Sequence, residues 1–422
     1  MADRRVLVAL VAAVLAVGAT AGSALIHPQR PAPATSTAVG GAEVLACPAL
    51  AGSARLVATA PTASVRLRDA DKSTVLPVPV SRAAPTDPFA LLPVGSQPAG
   101  AVTVVAGAAV SWATCDPPLA NQTLLLEDSA RTDVLLVNTD ATDAVVNVTV
   151  RGPQGVVDAA GTRGLLVPAN ASLVVPLSVL SPAGEPVAAE VETTIGRVRA
   201  FGRLAGTAGI DVASSGIAGT EHLLGAVPAG AKGLSLLLDN PGQTRATITV
   251  AALASSGTFT PAGADKVTVA PGAVTRVDLS AAVSATEALA LRVTSDVPIA
   301  ASLHVTGESD VANLASRPVF ANSQVLVSGG RLVLANPTTS DTEVTFKATP
   351  VEGSGIPATR QTVKAGATWS VALPARGVRV TVASAVGVGA WVVLPVGTAV
   401  APFQTADQAT ESVAIDRDPF LR

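Results

Sequence analysis

Tyrosine is absent from this chain, and aromatic residues of all kinds make up only 2% of it. Glycan-binding faces and single-strand nucleic-acid platforms rely on exposed aromatic rings, so both lack their usual material. Charge is scarce too. Charged residues are 14% of the chain, against about 25% in an average soluble domain. The net charge is −3 and no basic run exceeds Arg4-Arg5, so the cationic face that neutralises phosphates is missing and no nucleic-acid partner is expected. The three histidines, His27, His222 and His304, share no spacing of the kind zinc sites use. His222 follows Glu221 in a loop-like stretch. His304 reads as a strand residue within Ala300–Val305 rather than a general base. No Gly-x-Ser-x-Gly elbow anchors a triad. Asp69-Ala-Asp71-Lys-Ser73 lacks the glycine and glutamate of a calcium loop. Gly387-Val-Gly389 lacks the strand-turn-helix setting of a dinucleotide loop and reads as close strand packing. No catalytic residue, metal ligand or cofactor is expected.

What the chain does have is aliphatic mass: 49% of its residues are hydrophobic, mostly alanine, valine and leucine. Its length allows two to four domains at the usual ~100–200 residues each. Val6 to Ile26 carries no charge and follows Arg4-Arg5. As a helix it matches a ~30 Å hydrocarbon core, and the arginines keep the N-terminus cytoplasmic and export the rest. Residues 1–27 are therefore expected to be a transmembrane signal anchor with an extracytoplasmic C-terminal part. Secretion after cleavage at a small-x-small site such as Ala19-Thr20-Ala21 is the alternative. Residues 28–44, rich in proline, alanine, serine and threonine, read as a linker. In an exported chain the two cysteines, Cys47 and Cys115, default to one disulfide.

Beyond the linker the sequence repeats. Val134-Leu-Leu-Val-Asn138, Leu236-Leu-Leu-Asp-Asn240 and Leu332-Val-Leu-Ala-Asn336 each lead through a turn into an alternating strand: Val145–Val150, Ala246–Val250 and Glu343–Phe346. Downstream, turns at Asn170, Gly272 and Gly366 each join two strands, and a third block closes each unit at Val191–Phe201, Val293–Leu303 and Val382–Val392. Asn138, Asn240 and Asn336 read as turn formers, since asparagine tolerates left-handed backbone. Six or seven short strands per unit predict an all-β chain of tandem antiparallel, Ig-like β-sandwich repeats. The expected boundaries are 121–222, 223–318 and 319–403, with a tail at 404–422. Before them, residues 45–120 hold alternating strands of their own and are expected to be a smaller β unit closed by Cys47 and Cys115.

Cys115-Asp-Pro-Pro, the strand and asparagine turn that follow, Val148-Thr-Val-Arg-Gly-Pro-Gln-Gly155, Gly164-Leu-Leu-Val-Pro168, Val174-Val-Pro-Leu177 and Arg417-Asp-Pro419 are similar to membrane-anchored actinobacterial proteins catalogued as a domain of unknown function. Asn121–Leu126 lacks the aromatic residue expected there. The resemblance implies an extracytoplasmic β-sandwich protein of an actinobacterial envelope and brings no functional residues.

The expected function is a non-catalytic, membrane-tethered envelope protein, serving as a structural spacer or protein-interaction scaffold. The partners are the membrane, through the N-terminal helix, and an unknown envelope protein or glycan. An array of cell-wall or polysaccharide-binding modules is the alternative. A hydrolase with an inter-domain site ranks last.

Overall fold

The computed structural model describes residues 43–69, 72–181, 184–206, 209–351 and 355–406. The anchor expected at 1–27 and nearly all of the linker lie outside them. No helix among the described residues is long and apolar enough to cross a membrane.

The described chain is all-β, built from several antiparallel sheets. The alternation read from the sequence sets which face each strand buries. In Ala144–Gly152, Ala144, Val146, Val148 and Val150 point into a core, while Val145, Asn147 and Thr149 lie half-exposed on the other face. The first repeat has eight strand positions in two sheets, besides the two-residue strand Gly155–Val156 that pairs with the end of the third. One sheet runs 121–126, 187–195, 144–152 and 165–167, the first, sixth, third and fourth positions. The other runs 172–176, 132–137, 199–206 and 209–214, the fifth, second, seventh and eighth. Their inner faces share one core, including Leu124, Leu126, Leu136, Val148 and Leu177.

The other units keep this order but run strands together. Leu289–Thr306 supplies the sixth and seventh positions of the second repeat. Phe320–Asn336 supplies the first and second of the third, and Ala367–Val393 its fifth, sixth and seventh. The sequence predicts short strands. In Phe320–Asn336 the chain passes from one sheet to the facing one at Gly329 and Gly330, whose positive φ glycine adopts readily, so no loop separates the two positions.

Residues 45–120 are a fourth copy. Their sheets run first-sixth-third-fourth (Leu45–Cys47, Phe89–Leu92, Ser64–Asp69, Lys72–Pro77) and fifth-second-seventh-eighth (Val80–Ala83, Arg55–Thr59, Ala99–Ala106, Ala109–Thr114). Cys47 ends the first strand and Cys115 follows the eighth, so their disulfide ties the two sheets together from a fully buried position. The expected division at 222/223 falls inside the strand Gly219–Val227, which also contains His222. Gln404 and Thr405, expected in the tail, pair with Gln324 and Ser323.

The units close on themselves. At each junction the outer face of one unit's first-sixth-third-fourth sheet meets the second strand of the next, and an arginine crosses. Arg68 donates to the Thr139 carbonyl. Arg151 reaches Asp239 at 2.7 and 2.6 Å. Arg292 donates to the Pro337 carbonyl at 2.7 Å. Arg379 of the third repeat donates to the Ala60 carbonyl at 3.1 Å, back on the N-terminal unit. Arg68 and Arg151 hold the same register, opposite Ala90 and Ala188. All four targets lie at the end of the second strand or just after it, where the repeats carry Asn138, Asn240 and Asn336 and the N-terminal unit carries Ala60. The described chain is therefore a closed ring of four like units.

Candidate functional site

The eighth strands meet at the centre of the ring. Gly209–Ser214 of the first repeat runs beside Ala109–Thr114 of the N-terminal unit and Val311–Ala315 of the second repeat. The cavity between the units is lined by Trp112, Ser214, Asn313, Trp391, Val400 and Pro402, so every unit contributes. Its volume is about 30 Å³, room for a water or two rather than a ligand.

Charged groups around this centre join units. Asp116, directly after Cys115, receives Arg199 of the first repeat at 3.0 Å and Arg317 beyond the second repeat's eighth strand at 2.5 Å. Burial raises the Asp116 carboxyl, but Arg317 and Arg199 outweigh it and hold the group below the usual carboxylate range. Burial also draws Arg199 down to about 10, with Asp116 opposing and Arg317 adding to the shift. The Asp310 carboxylate accepts the Val110 N–H at 3.3 Å and the Thr398 N–H at 2.8 Å, bridging the second repeat to the N-terminal unit and the third repeat.

Asp211 of the first repeat accepts from Asn313 Nδ2 at 3.0 Å, and Asn313 Oδ1 lies 3.0 Å from His304 Nδ1. Burial pushes Asp211 up to about 7; its Val212 N–H and Asn313 pull the other way, and Asp310 adds to the rise. Ser235 stands opposite His304 in register, so serine, histidine, asparagine and aspartate follow one another across the strands. This order does not make a charge-assisted triad. A neutral amide separates His304 from the carboxyl, and that carboxyl binds its proton up to neutral pH, so it cannot stabilise an imidazolium as a triad aspartate does.

His222 is buried, with Nε2 between the Gly219 and Ile299 carbonyls at 3.0 and 2.8 Å. Burial lowers its pKa. The ring ties strand to strand within the second repeat. His27 lies outside the described residues, as do Ala70 and Asp71 of the acidic turn. Among the described residues no group of three or more histidine, cysteine or acidic side chains is placed to hold a metal ion.

The repeat asparagines are buried turn formers. Asn240 Nδ2 donates to the carbonyls of Thr244 at 2.7 Å and Val269 at 3.2 Å, while its Oδ1 accepts the Gly242 N–H at 3.0 Å. Asn138 and Asn336 make the same three-way bond. Close packing also explains the paired glycines: a Cβ on Gly389 would sit 2.3 Å from Trp391 and 2.6 Å from Leu223.

One larger hollow, about 440 Å³, opens on the third repeat over Asn322, Thr345 and Ala383, with Asp341 and Glu343 at its rim. It exists because Ala383 is small where the same register holds Glu192 and Thr294 in the first and second repeats. Its acids are engaged: Asp341 Oδ1 accepts the Ala365 N–H, and Glu343 lies 3.8 Å from Arg360.

The profile of a family of unknown function, DUF5719, matches residues 77–374. The chain belongs to this family. No curated protein matches it. The DUF5719 match takes in both complete middle repeats and the central residues Asp116, Arg199, Asp211, Asn313 and Arg317. It begins after Cys47 and Arg68 and stops before Arg379, so the Arg379–Ala60 contact falls outside it, while the Gln324–Gln97 bond that also closes the ring falls within.

Sequence reasoning singled out the cysteines and the asparagines but missed the central residues. Asp116 lies in the Cys115-Asp-Pro-Pro motif, but Asp211, Asp310 and Asn313 sit in unremarkable contexts, and only the ring brings them near it. A usable signal was present in the arginines: valine-rich strands carrying Arg68, Arg151, Arg292 or Arg379 place a long cation on a sheet face that should otherwise be small and neutral.

Proposed function

We propose that this chain is a non-catalytic scaffold of an actinobacterial cell envelope, exported and held to the membrane by residues 1–27, with Ig-like β-sandwich units that present a protein-interaction surface. The observation carrying this reading is where the buried charge is used. The buried arginine–acid pairs, Arg151–Asp239 and Arg199–Asp116, join one unit to another. Breaking such a pair is costly, so they fix the placement of units and do not serve a solvent-facing site. A rigid ring with a filled centre suits a platform.

A platform fits better than a long spacer, because the chain enters and leaves the ring at one corner. The Glu43 N–H donates to Gln97 Oε1 at 2.6 Å, Gln324 Nε2 donates to the Gln97 carbonyl at 3.3 Å, and Gln324 pairs with Gln404. The glycan-binding alternative gains less support: Trp391 is buried, and Trp112 and Trp369 are half-buried.

The test is protease shaving of intact cells expressing the chain with a C-terminal tag, combined with crosslinking in the native envelope. Tag loss from intact cells, membrane retention and a reproducible protein adduct are expected. A cytoplasmic tag would sink the export reading. Adducts to purified cell-wall polysaccharide, with none to protein, would favour the glycan alternative.

A further inference from the structure

Asp211 is buried where the first repeat meets the second, and its side chain bonds an amide rather than an arginine. Asp211 and Asn313 sit on the eighth strands of neighbouring repeats, and their bond crosses the centre of the ring at 3.0 Å. Asn313 is fixed from behind by His304, also at 3.0 Å. Arginines serve Asp116, Asp239 and, at the rim, Glu127. Asp211 instead faces an amide, with the carboxylate of Asp310 close enough to repel it. The other charged groups around the centre are committed: Arg317 and Arg199 to Asp116, and Asp310 to two backbone N–H groups.

We propose that the Asp211–Asn313–His304 chain is a proton-operated latch between the first and second repeats, closed when Asp211 is neutral and loosened when it ionises. The neutral acid can lie buried beside Asp310 at little cost. The anion cannot, because a buried charge without a cation is expensive. Opening the two central strands lets water reach the carboxylate. The strands Gly209–Ser214 and Val311–Ala315 would then part before the outer sheets, because they add only Ala213 to one core and Ala312 and Leu314 to the other.

The test is hydrogen–deuterium exchange on the whole chain across pH, corrected for intrinsic exchange rates. With the proton held up to about pH 7 in the closed state, the opening equilibrium of both central strands should rise roughly fiftyfold between about pH 5 and pH 7 and level off about twofold higher above it. The outer strand Ala144–Gly152 should not follow. In Asp211→Asn the central strands should lose this rise. A flat wild-type profile in these strands, or an unchanged rise in Asp211→Asn, overturns the latch. If Asp211→Asn does not fold, Asp310→Asn decides. Removing the neighbouring charge should move the levelling point to lower pH, and an unmoved profile rejects the proposal.

Discussion

Single buried polar residues carry much of the specificity here, and each can be tested by what it leaves behind. Arg151 is buried between Asp239, itself fully buried, and Glu190. Burial works against its charge, but the two acids overcome this and hold the guanidinium protonated. Arg151→Ala strands Asp239, whose carboxyl burial already raises. The expected loss is about 3–5 kcal/mol by chemical denaturation. Arg151→Met with Asp239→Leu should recover most of it, since an apolar pair leaves no buried charge unmatched and Glu190, 39% exposed, keeps its solvent.

Asn240 offers a sharper comparison. Asn240→Ala leaves two carbonyls and one N–H unpaired, for about 2–3 kcal/mol. Asn240→Asp should cost more, because its second oxygen then faces the Thr244 and Val269 carbonyls. Asp211 makes a prediction in pH. Its folded pKa is raised from 3.8 to about 7, so the stability it confers is full below about pH 4 and is lost as pH rises to about 7. Thermal melting should show this fall in the wild type and a flatter curve in Asp211→Asn. Asp116, held below the usual carboxylate range, acts in the opposite sense and only at lower pH, so the two windows do not overlap.

At the scale of elements, the junctions follow a size rule. The register position that faces the next unit is Ala46, Leu125, Gly225 and Leu326 in the four first strands. The receiving position on the next seventh strand is Phe201, Ser302, Trp391 and Ala101, respectively. Small meets large each time. Leu326 packs with Ala101 and Val57, Ala46 shares a core with Phe201, and a Cβ on Gly225 would already lie 3.2 Å from the Trp391 ring. Leu125 packs on Leu237 and Ala300, beside the small Ser302. Gly225→Leu should therefore lower the melting temperature strongly, and Trp391→Ala added to it should restore part of the loss, because overpacking is relieved only when the facing volume is removed. The disulfide belongs to this scale as well. Cys47→Ala with Cys115→Ala frees the short first strand of the N-terminal unit. The expected cost is up to about 4 kcal/mol in the chain-entropy model, seen as a lower denaturation midpoint without reductant.

For the molecule as a whole, closure is the property that matters. The third repeat reaches the N-terminal unit through Arg379, Gln324 and Gln404. A closed ring of this chain length should have a radius of gyration of about 21 Å, whereas an open string of four units would be far longer. Small-angle scattering on the purified exported part checks this. Arg379→Ala combined with Gln404→Ala should enlarge the particle or broaden its unfolding, since the seam joining the last unit to the first then keeps the Gln324–Gln97 bond and the packing of Val57, Ala101 and Leu326.

The sequence by itself determined the all-β character, the three asparagine-marked repeats and the cysteine pair. These rest on local chemistry: period-two alternation chooses the buried face of a strand, and turn residues mark its ends. The fourth copy was not legible because Arg55-Leu-Val-Ala-Thr-Ala60-Pro shares Arg-Leu-Val and the proline with Arg331-Leu-Val-Leu-Ala-Asn336-Pro but lacks the asparagine that identifies the others. Only the tertiary structure decided that the units form a ring, that their arginines each serve the next unit's corner, and that Asp116, Asp211 and Asn313 meet at its centre. Those contacts join residues from 45 to 319 positions apart across sheet faces, and no local pattern in an aromatic-poor, charge-poor chain encodes which face meets which.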